Sequence, residues 1–73
     1  MTNNLQTKVE YDVGDIIPIF EVDLDDWYDW TIRCKKWDPT SNHYAYFLTR
    51  PGYEGWFTKP YLSRQITNYY ENI

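Results

Sequence analysis

The sequence predicts a single all-β domain, a small barrel or sandwich of about five short antiparallel strands. Short apolar runs alternate with polar residues, and turn signals containing Gly, Pro, Asp or Asn separate the runs. The chain has 73 residues, which leaves room for one hydrophobic core. Aromatic residues make up 21% of the chain, and large rings supply the buried area that so small a core needs.

The first predicted strand covers residues 8–13 and follows a flexible arm at residues 1–7. Val9, Tyr11 and Val13 alternate with polar residues, which is the period of a half-buried strand. Gly14-Asp15 then predicts a turn. We expect residues 8–73 to form the single domain.

A second strand is predicted at residues 16–22, and an acidic loop follows it. The run is rich in β-branched residues, and Pro18 places it at a sheet edge or a bulge because proline cannot donate a ladder hydrogen bond. The loop then carries the carboxylates of Asp23, Asp25 and Asp26.

Residues 27–37 have the clearest strand pattern in the chain. We expect Tyr28, Trp30, Ile32 and Cys34 to share the core face, and Trp27 to point the other way, beside the acidic loop. The polar residues 38–42 predict a turn, and residues 43–49 resume as a strand. Together these segments predict a long hairpin.

The last third of the chain combines a short strand with helical signals. Pro51-Gly52 predicts a turn, residues 56–58 a short strand, and Pro60 a single helical turn through Tyr61 and Leu62. Apolar residues of the tail recur at roughly helical spacing, but the sequence does not decide between a short helix and a closing strand there. These residues are Leu62, Ile66, Tyr69, Tyr70 and Ile73.

Few residues favour catalysis or metal binding. His43 is the only histidine and flanks a turn, and Cys34, the only cysteine, alternates with core residues as a small buried thiol does. One cysteine forms neither an intramolecular disulfide nor a cysteine-based zinc site. Asp23, Asp25 and Asp26 lack the glycine and the terminal glutamate of a calcium loop. We predict no enzyme activity, no cofactor and no metal.

The charge of the chain favours a basic protein partner. The net charge is -4 and the isoelectric point is about 4.6, whereas nucleic-acid binding draws its affinity from cations that neutralise phosphates. The N-terminus lacks the basic start and apolar core of a signal peptide, and no apolar run approaches the length of a membrane span. With the single cysteine, these features predict a cytoplasmic protein that contacts neither membrane nor nucleic acid directly.

Two segments of the chain have a residue order that is typical of a known domain family. Upstream, Gly14-Asp15, an aliphatic strand, an acidic loop and Trp27-Tyr28 follow one another as they do in SH3 domains. An SH3 domain ends with a Gly-x-x-Gly turn, an aromatic strand, a helical turn and a Tyr-aliphatic pair, which is similar to Gly52-Tyr53-Glu54-Gly55-Trp56-Phe57-Thr58-Lys59-Pro60-Tyr61-Leu62. The resemblance covers about two-thirds of the chain and implies an SH3-like barrel.

The resemblance also implies a binding groove. Aromatic rings line the groove of SH3 domains, and the residues that match them are Trp27 and Tyr61. The family's acidic loop contacts a basic ligand residue, and Asp23, Asp25 and Asp26 match that loop. Aromatic ridges accept an extended segment at little entropic cost, and carboxylates fix its direction.

The chain departs from the family in its ligand-binding details. Thr58 stands where SH3 domains have a groove proline, and the hairpin within residues 27–50 is longer than usual, so a Pro-rich ligand is not implied. The Tyr-x-Val-Gly-Asp opening and the Gly-x-x-Gly-Trp-Phe ending also resemble small proteins of Gram-positive bacteria and their phages. A phage-encoded protein of this kind acts in the cytoplasm of the host cell.

The aromatic residues outnumber the places in so small a core, which predicts an exposed aromatic patch beside the acidic loop. This favours a protein-binding module that recognises a basic or extended segment of its partner. Two alternatives are open: an acidic, DNA-mimicking inhibitor of a host nucleic-acid-binding enzyme, and a structural subunit of an oligomer. The predicted partner-binding residues are Trp27, Tyr53, Trp56, Tyr61, Asp23, Asp25 and Asp26.

Overall fold

The computed structural model of the protein describes residue 8 and residues 10–72, so the predicted arm at residues 1–7 lies outside the described part. The strands form one open antiparallel sheet in the order β1-β2-β3-β4, and a helix follows the last strand. β1 and β4 are therefore the two edges of the sheet. The elements are β1 (Ile16–Glu21), β2 (Asp26–Asp38), β3 (His43–Arg50), β4 (Tyr53–Thr58) and α1 (Lys59–Glu71).

Side chains hold the segment before β1, and its described residues do not form the predicted strand. Tyr11 is buried, but its backbone N–H donates to the phenol oxygen of Tyr46 at 3.2 Å and not to a neighbouring strand. The chain joins β2 at Gly14 and Asp15, where the Gly14 N–H donates to the carbonyl of Ile32 at 2.8 Å and the Ile32 N–H donates to the carbonyl of Asp15 at 2.9 Å. The described sheet therefore has four strands where the alternating pattern predicted about five.

β1 is an edge strand, as Pro18 predicted. The N–H of Phe20 points away from β2 and donates to the Oε1 atom of Gln65 on α1 at 3.0 Å. Backbone groups alternate in direction along a strand, so Pro18, two residues earlier, also faces away from β2. The proline therefore removes no ladder hydrogen bond.

A bulge at Arg33 reverses the alternation of side chains along β2. Ile32 pairs with Leu48 and Cys34 pairs with Phe47, so Arg33 has no partner of its own in β3. The extra residue turns Cys34 to the face of the sheet opposite Ile32. The prediction of a buried core thiol is therefore wrong, and Cys34 is exposed.

The two later turns lie where the sequence predicted them. Asn42 has a φ of 59° in the β2–β3 turn, a conformation that Asn tolerates better than most residues, and the Asp38 carboxylate accepts a 2.8 Å hydrogen bond from the Ser41 hydroxyl. Pro51 and Gly52 form the β3–β4 turn, where Gly52 has a φ of 86°. This positive φ is the reason for a glycine at that position.

The last strand and the helix are longer than predicted. β4 begins at Tyr53, and the helical turn at Pro60 is the start of a helix of 13 residues, so the tail is a helix and not a closing strand. Thr58 caps the helix by accepting the N–H of Tyr61 at 3.3 Å. Pro60 lies in the first turn, where a missing N–H costs no hydrogen bond. No helix in the described part of the chain is long and apolar enough to cross a membrane.

The core lies between α1 and one face of the sheet. Leu62 and Ile66 of the helix are fully buried against strand residues of that face. Among the described residues, no second layer covers the opposite face, which we call the open face. The buried hydrophobic residues of the core are Tyr11, Ile17, Ile19, Trp30, Ile32, Tyr46, Leu48, Leu62 and Ile66.

Replacing Ile66 with alanine tests this packing. Ile66 is 1% exposed, so we expect Ile66→Ala to lower the free energy of unfolding by about 2–5 kcal/mol through lost burial and a cavity. Thr67→Ala, at the adjacent exposed position, is the matched control and should change it by less than about 0.5 kcal/mol. Urea unfolding measures both, and equal effects would contradict the placement of α1.

Candidate partner-binding groove

A groove of about 470 Å³ lies between the end of the β1–β2 hairpin and one side of α1. We call it the hairpin–helix groove. Its lining combines rings with amides and contains no charged side chain. The lining residues are Phe20, Val22, Trp27, Tyr61, Gln65, Asn68 and Asn72.

Edge-on ring contacts hold Trp27 at the wall of this groove. The ring centroid of Trp27 lies 5.4 Å from that of Phe20, its cross-strand partner, and 5.3 Å from that of Tyr69 on α1. Tyr61 stacks on Phe57, with 5.5 Å between the ring centroids. Trp27 and Tyr61 remain half-buried, so both rings are fixed on one side and open to a ligand on the other.

Amide groups of α1 and its C-terminal cap form the polar part of the groove. Gln65 accepts the N–H of Phe20 through Oε1, which fixes its side chain and leaves its NH2 group as a donor. The Nδ2 atom of Asn72 donates to the carbonyl of Asn68 at 2.7 Å. Side-chain amides beside rings match the alternating donors and acceptors of an extended peptide backbone.

The acidic loop begins at the rim of the groove. Val22, which is 80% exposed, lines the groove and is the first residue after β1. The carboxylates of Asp23, Asp25 and Asp26 follow it, all three residues are exposed, and none is in an ion pair within the described part of the chain. The loop therefore places negative charge next to an uncharged groove.

A partly buried ion pair lies at the turn end of this hairpin, where β1 meets the acidic loop. The Glu21 carboxylate, at the end of β1, accepts hydrogen bonds from Arg50 Nε at 2.8 Å and from Trp30 Nε1 at 3.0 Å. The Arg50 guanidinium lies between the rings of Tyr28 and Tyr53, at 4.4 and 4.0 Å from their centroids. The hydrogen bond from Arg50 lowers the pKa of Glu21, and the bond from Trp30 acts in the same direction.

The structure brings together only part of the predicted site. Trp27 and Tyr61 line one groove, and the acidic loop adjoins it through Val22. Tyr53 and Trp56 lie instead on β4, outside that lining, and Trp56 is 55% exposed on the open face. The predicted set therefore divides between two surfaces.

A second depression, of about 520 Å³, lies beside Trp56. Trp37, 47% exposed, forms another part of its wall. Lys36 and Asp38 bring opposite charges to the same lining, so this depression lacks the single sign of charge that marks the acidic loop. We therefore take the hairpin–helix groove as the candidate functional site.

The sequence reasoning missed the helical half of the groove. Gln65, Asn68 and Asn72 did not enter the predicted set, nor did Phe20. The sequence did contain a signal for the helical residues. The spacing between Tyr61, Gln65, Asn68 and Asn72 places them along one side of a helix. The predicted helix was too short to reveal that side.

No side-chain cluster in the described part of the chain has the makeup of a metal site. Within it, no three Asp, Glu, His or Cys side chains gather closely enough to hold a metal ion. The absence of enzyme activity and of a cofactor stays a prediction.

Comparisons of the chain with protein-family models, with curated proteins and with solved structures gave no match. The likeness to SH3 domains therefore stays a resemblance in sequence. The role of the groove has to be inferred from its own geometry.

The Glu21–Arg50 ion pair predicts a dependence of stability on pH. A lowered folded-state pKa means that Glu21 stabilises the fold when ionised, above its ordinary pKa near 4.5, and loses that effect as pH falls through the lowered value. Glu21→Gln should therefore be less stable than wild type at pH 7, and the difference should shrink below pH 4.5. Urea midpoints at a series of pH values measure this.

Glu54→Gln provides the matched control for that experiment. Glu54 is exposed and lies in no ion pair within the described residues, so its substitution should leave the urea midpoint nearly unchanged at pH 7. A Glu21→Gln midpoint equal to that of wild type at pH 7 would show that the Glu21–Arg50 pair does not stabilise the hairpin.

Proposed function

We propose that the protein is a non-catalytic binding module that captures a basic, extended segment of a partner protein in the hairpin–helix groove. One observation carries this proposal: an uncharged groove of rings and amides adjoins three exposed carboxylates that no described cation neutralises. The partner supplies apolar side chains to the rings and a Lys or Arg side chain to the loop.

Different residues of the groove contact different parts of the bound segment. Trp27 and Tyr61 offer large, rigid surfaces that bury apolar side chains with little loss of conformational entropy. Gln65 and Asn68 hydrogen-bond the backbone of the extended segment. Asp23, with its neighbours in the loop, attracts the basic residue and sets the direction of binding.

The resemblance to SH3 domains supports the same proposal. The residues that match the family's groove aromatics, Trp27 and Tyr61, line one groove here as well. We propose an SH3-like type of domain on that basis, although the described sheet is open. We also propose that the module acts in the cytoplasm, which is the host's if a phage encodes it.

Mimicry of DNA is the weaker alternative. A mimic presents carboxylates over a broad face in place of phosphates. Asp23, Asp25 and Asp26 are instead concentrated in one hairpin loop, and the open face carries Arg33 and Lys36. This distribution favours capture of a basic segment.

Substitution of Trp27 tests the groove. The probe is a library of short peptides that pair Pro or aliphatic residues with Lys or Arg, matched to the same peptides with Glu in the basic positions. We expect the basic peptides to bind and Trp27→Ala to weaken the best of them by about 2 kcal/mol, or roughly thirtyfold in Kd. Isothermal titration calorimetry measures the affinity.

Two further variants control for the loss of ring packing. Trp27→Phe keeps a ring against Phe20 and Tyr69 and should bind with intermediate affinity, whereas Trp56→Ala removes an exposed indole on β4 and should bind as wild type does. Equal losses of affinity in Trp27→Ala and Trp56→Ala would exclude the groove as the binding site.

Neutralising the acidic loop tests the role of charge. Asp→Asn substitution at positions 23, 25 and 26 preserves shape, and Asn tolerates the φ of 52° at Asp25. We expect Kd for the basic peptide to rise about tenfold at low salt, and this difference to shrink as salt is added. Glu54→Gln, at the other edge of the sheet, should leave Kd unchanged, and an unchanged Kd in the triple variant would refute the acidic contact.

A further inference from the structure

The two edges of the sheet differ in how their outward-facing backbone groups are protected. β1 is protected because Pro18 presents no N–H on its outer side and Gln65 satisfies the outward N–H of Phe20. The helix also packs along β1 more closely than along any other strand. Such devices keep an edge strand from pairing with another chain.

The pairing of residues across the sheet fixes the direction in which the backbone groups of β4 point. The N–H and C=O groups of Ile32 bond to Asp15 and Gly14, just before β1, so the backbone groups of the preceding residue, Thr31, face β3, where Thr31 pairs with Thr49. Leu48 then faces β4 and pairs with Gly55. The residues on either side of Gly55 therefore direct their N–H and C=O groups away from the sheet.

Those outward-facing residues are Glu54 and Trp56. No described residue hydrogen-bonds to their backbone groups on the outer side, and β4 contains neither the proline nor the lysine that commonly blocks an edge. Tyr53 and Trp56 are also 56% and 55% exposed. β4 thus combines an unpaired edge with exposed rings, in contrast to β1.

We propose that β4 pairs antiparallel with β4 of a second copy of this chain. The pairing is centred on Gly55, so that Glu54 of each copy exchanges both backbone hydrogen bonds with Trp56 of the other. The product is a continuous sheet of eight strands, four from each copy, closed by a two-fold axis.

Charge and side-chain size favour this register. Glu54 is the only charged residue of β4, and centring on Gly55 places it opposite Trp56 of the other copy. Centring on Glu54 would instead set two carboxylates opposite each other, which destabilises a strand pair. On the core-facing side, the chosen register brings Tyr53 opposite Phe57 of the other copy, which adds an aromatic pair.

This assembly is independent of the proposed peptide capture. β4 and β1 are opposite edges of the sheet, so a dimer through β4 leaves the hairpin–helix groove of each copy open. Loss of one property therefore need not affect the other.

The mass of the wild-type protein in solution gives the first test. We expect sedimentation equilibrium to show a rise with concentration from 9.0 kDa to twice that value, and no further. A monomer at every concentration at which the protein stays dissolved would overturn the proposal. Growth beyond a dimer would also overturn it, because a two-fold pairing of edges is closed.

Glu54→Pro is the variant that separates backbone pairing from other contacts. It removes an outward-facing N–H without removing a bond to β3, and so reproduces at β4 what Pro18 does at β1. We expect it to be monomeric at concentrations where wild type is a dimer, while it still binds the basic peptide. Glu54→Gln keeps the N–H and should remain dimeric. A dimeric Glu54→Pro variant, or loss of the dimer in both variants, would overturn the proposal.

Amide hydrogen exchange of the wild-type protein tests the β4–β4 pairing if Glu54→Pro fails to fold. We expect exchange at the N–H groups of Glu54 and Trp56 to slow as the protein concentration rises, and that of Phe20, at the protected edge, to stay constant. Exchange at all three that is independent of concentration would overturn the pairing. Exchange at Glu54 and Trp56 that slows when a peptide or an oligonucleotide is added, but not when the protein concentration rises, would assign the β4 edge to that other partner. This result would also overturn the pairing of two copies.

Discussion

One helix must cover a sheet of four strands, and it can cover only one face. Leu62 and Ile66 fill that face, and the described part of the chain has no second layer for the other. Rings beyond the capacity of this core remain at the surface, as Trp56 and Trp37 do. The open face, the free edge and the groove beside α1 all follow from this one-sided arrangement.

The groove depends on how the β1–β2 hairpin is held. The partly buried Arg50 bonds to Glu21, the last residue of β1, and the helix contacts the same end of the hairpin through Tyr69 against Trp27. The loop between β1 and β2 is thereby fixed on both sides, although its own residues are exposed. A rigid frame that carries a charged loop is a common way to present a recognition site.

Patterns along the chain predicted the features that depend on neighbouring residues. The hairpin of β2 and β3, the edge position of Pro18 and the position of Trp27 and Tyr61 beside one groove could be predicted from alternation, proline chemistry and the SH3 resemblance. Features set by contacts between distant segments could not. The bulge that exposes Cys34 interrupts a regular alternation, and hydrogen bonds to Tyr46 and Ser63, rather than strand pairing, hold Tyr11 in the core.

The accessibility of the four tryptophans tests most directly whether the core is one-sided. A soluble nitroxide broadens the NMR signals of ring protons that water can reach. The structure predicts strong broadening for Trp37 and Trp56, intermediate broadening for Trp27 and none for Trp30, which is 6% exposed and bonded to Glu21. Protection of Trp37 and Trp56 equal to that of Trp30, in the monomer, would contradict the account.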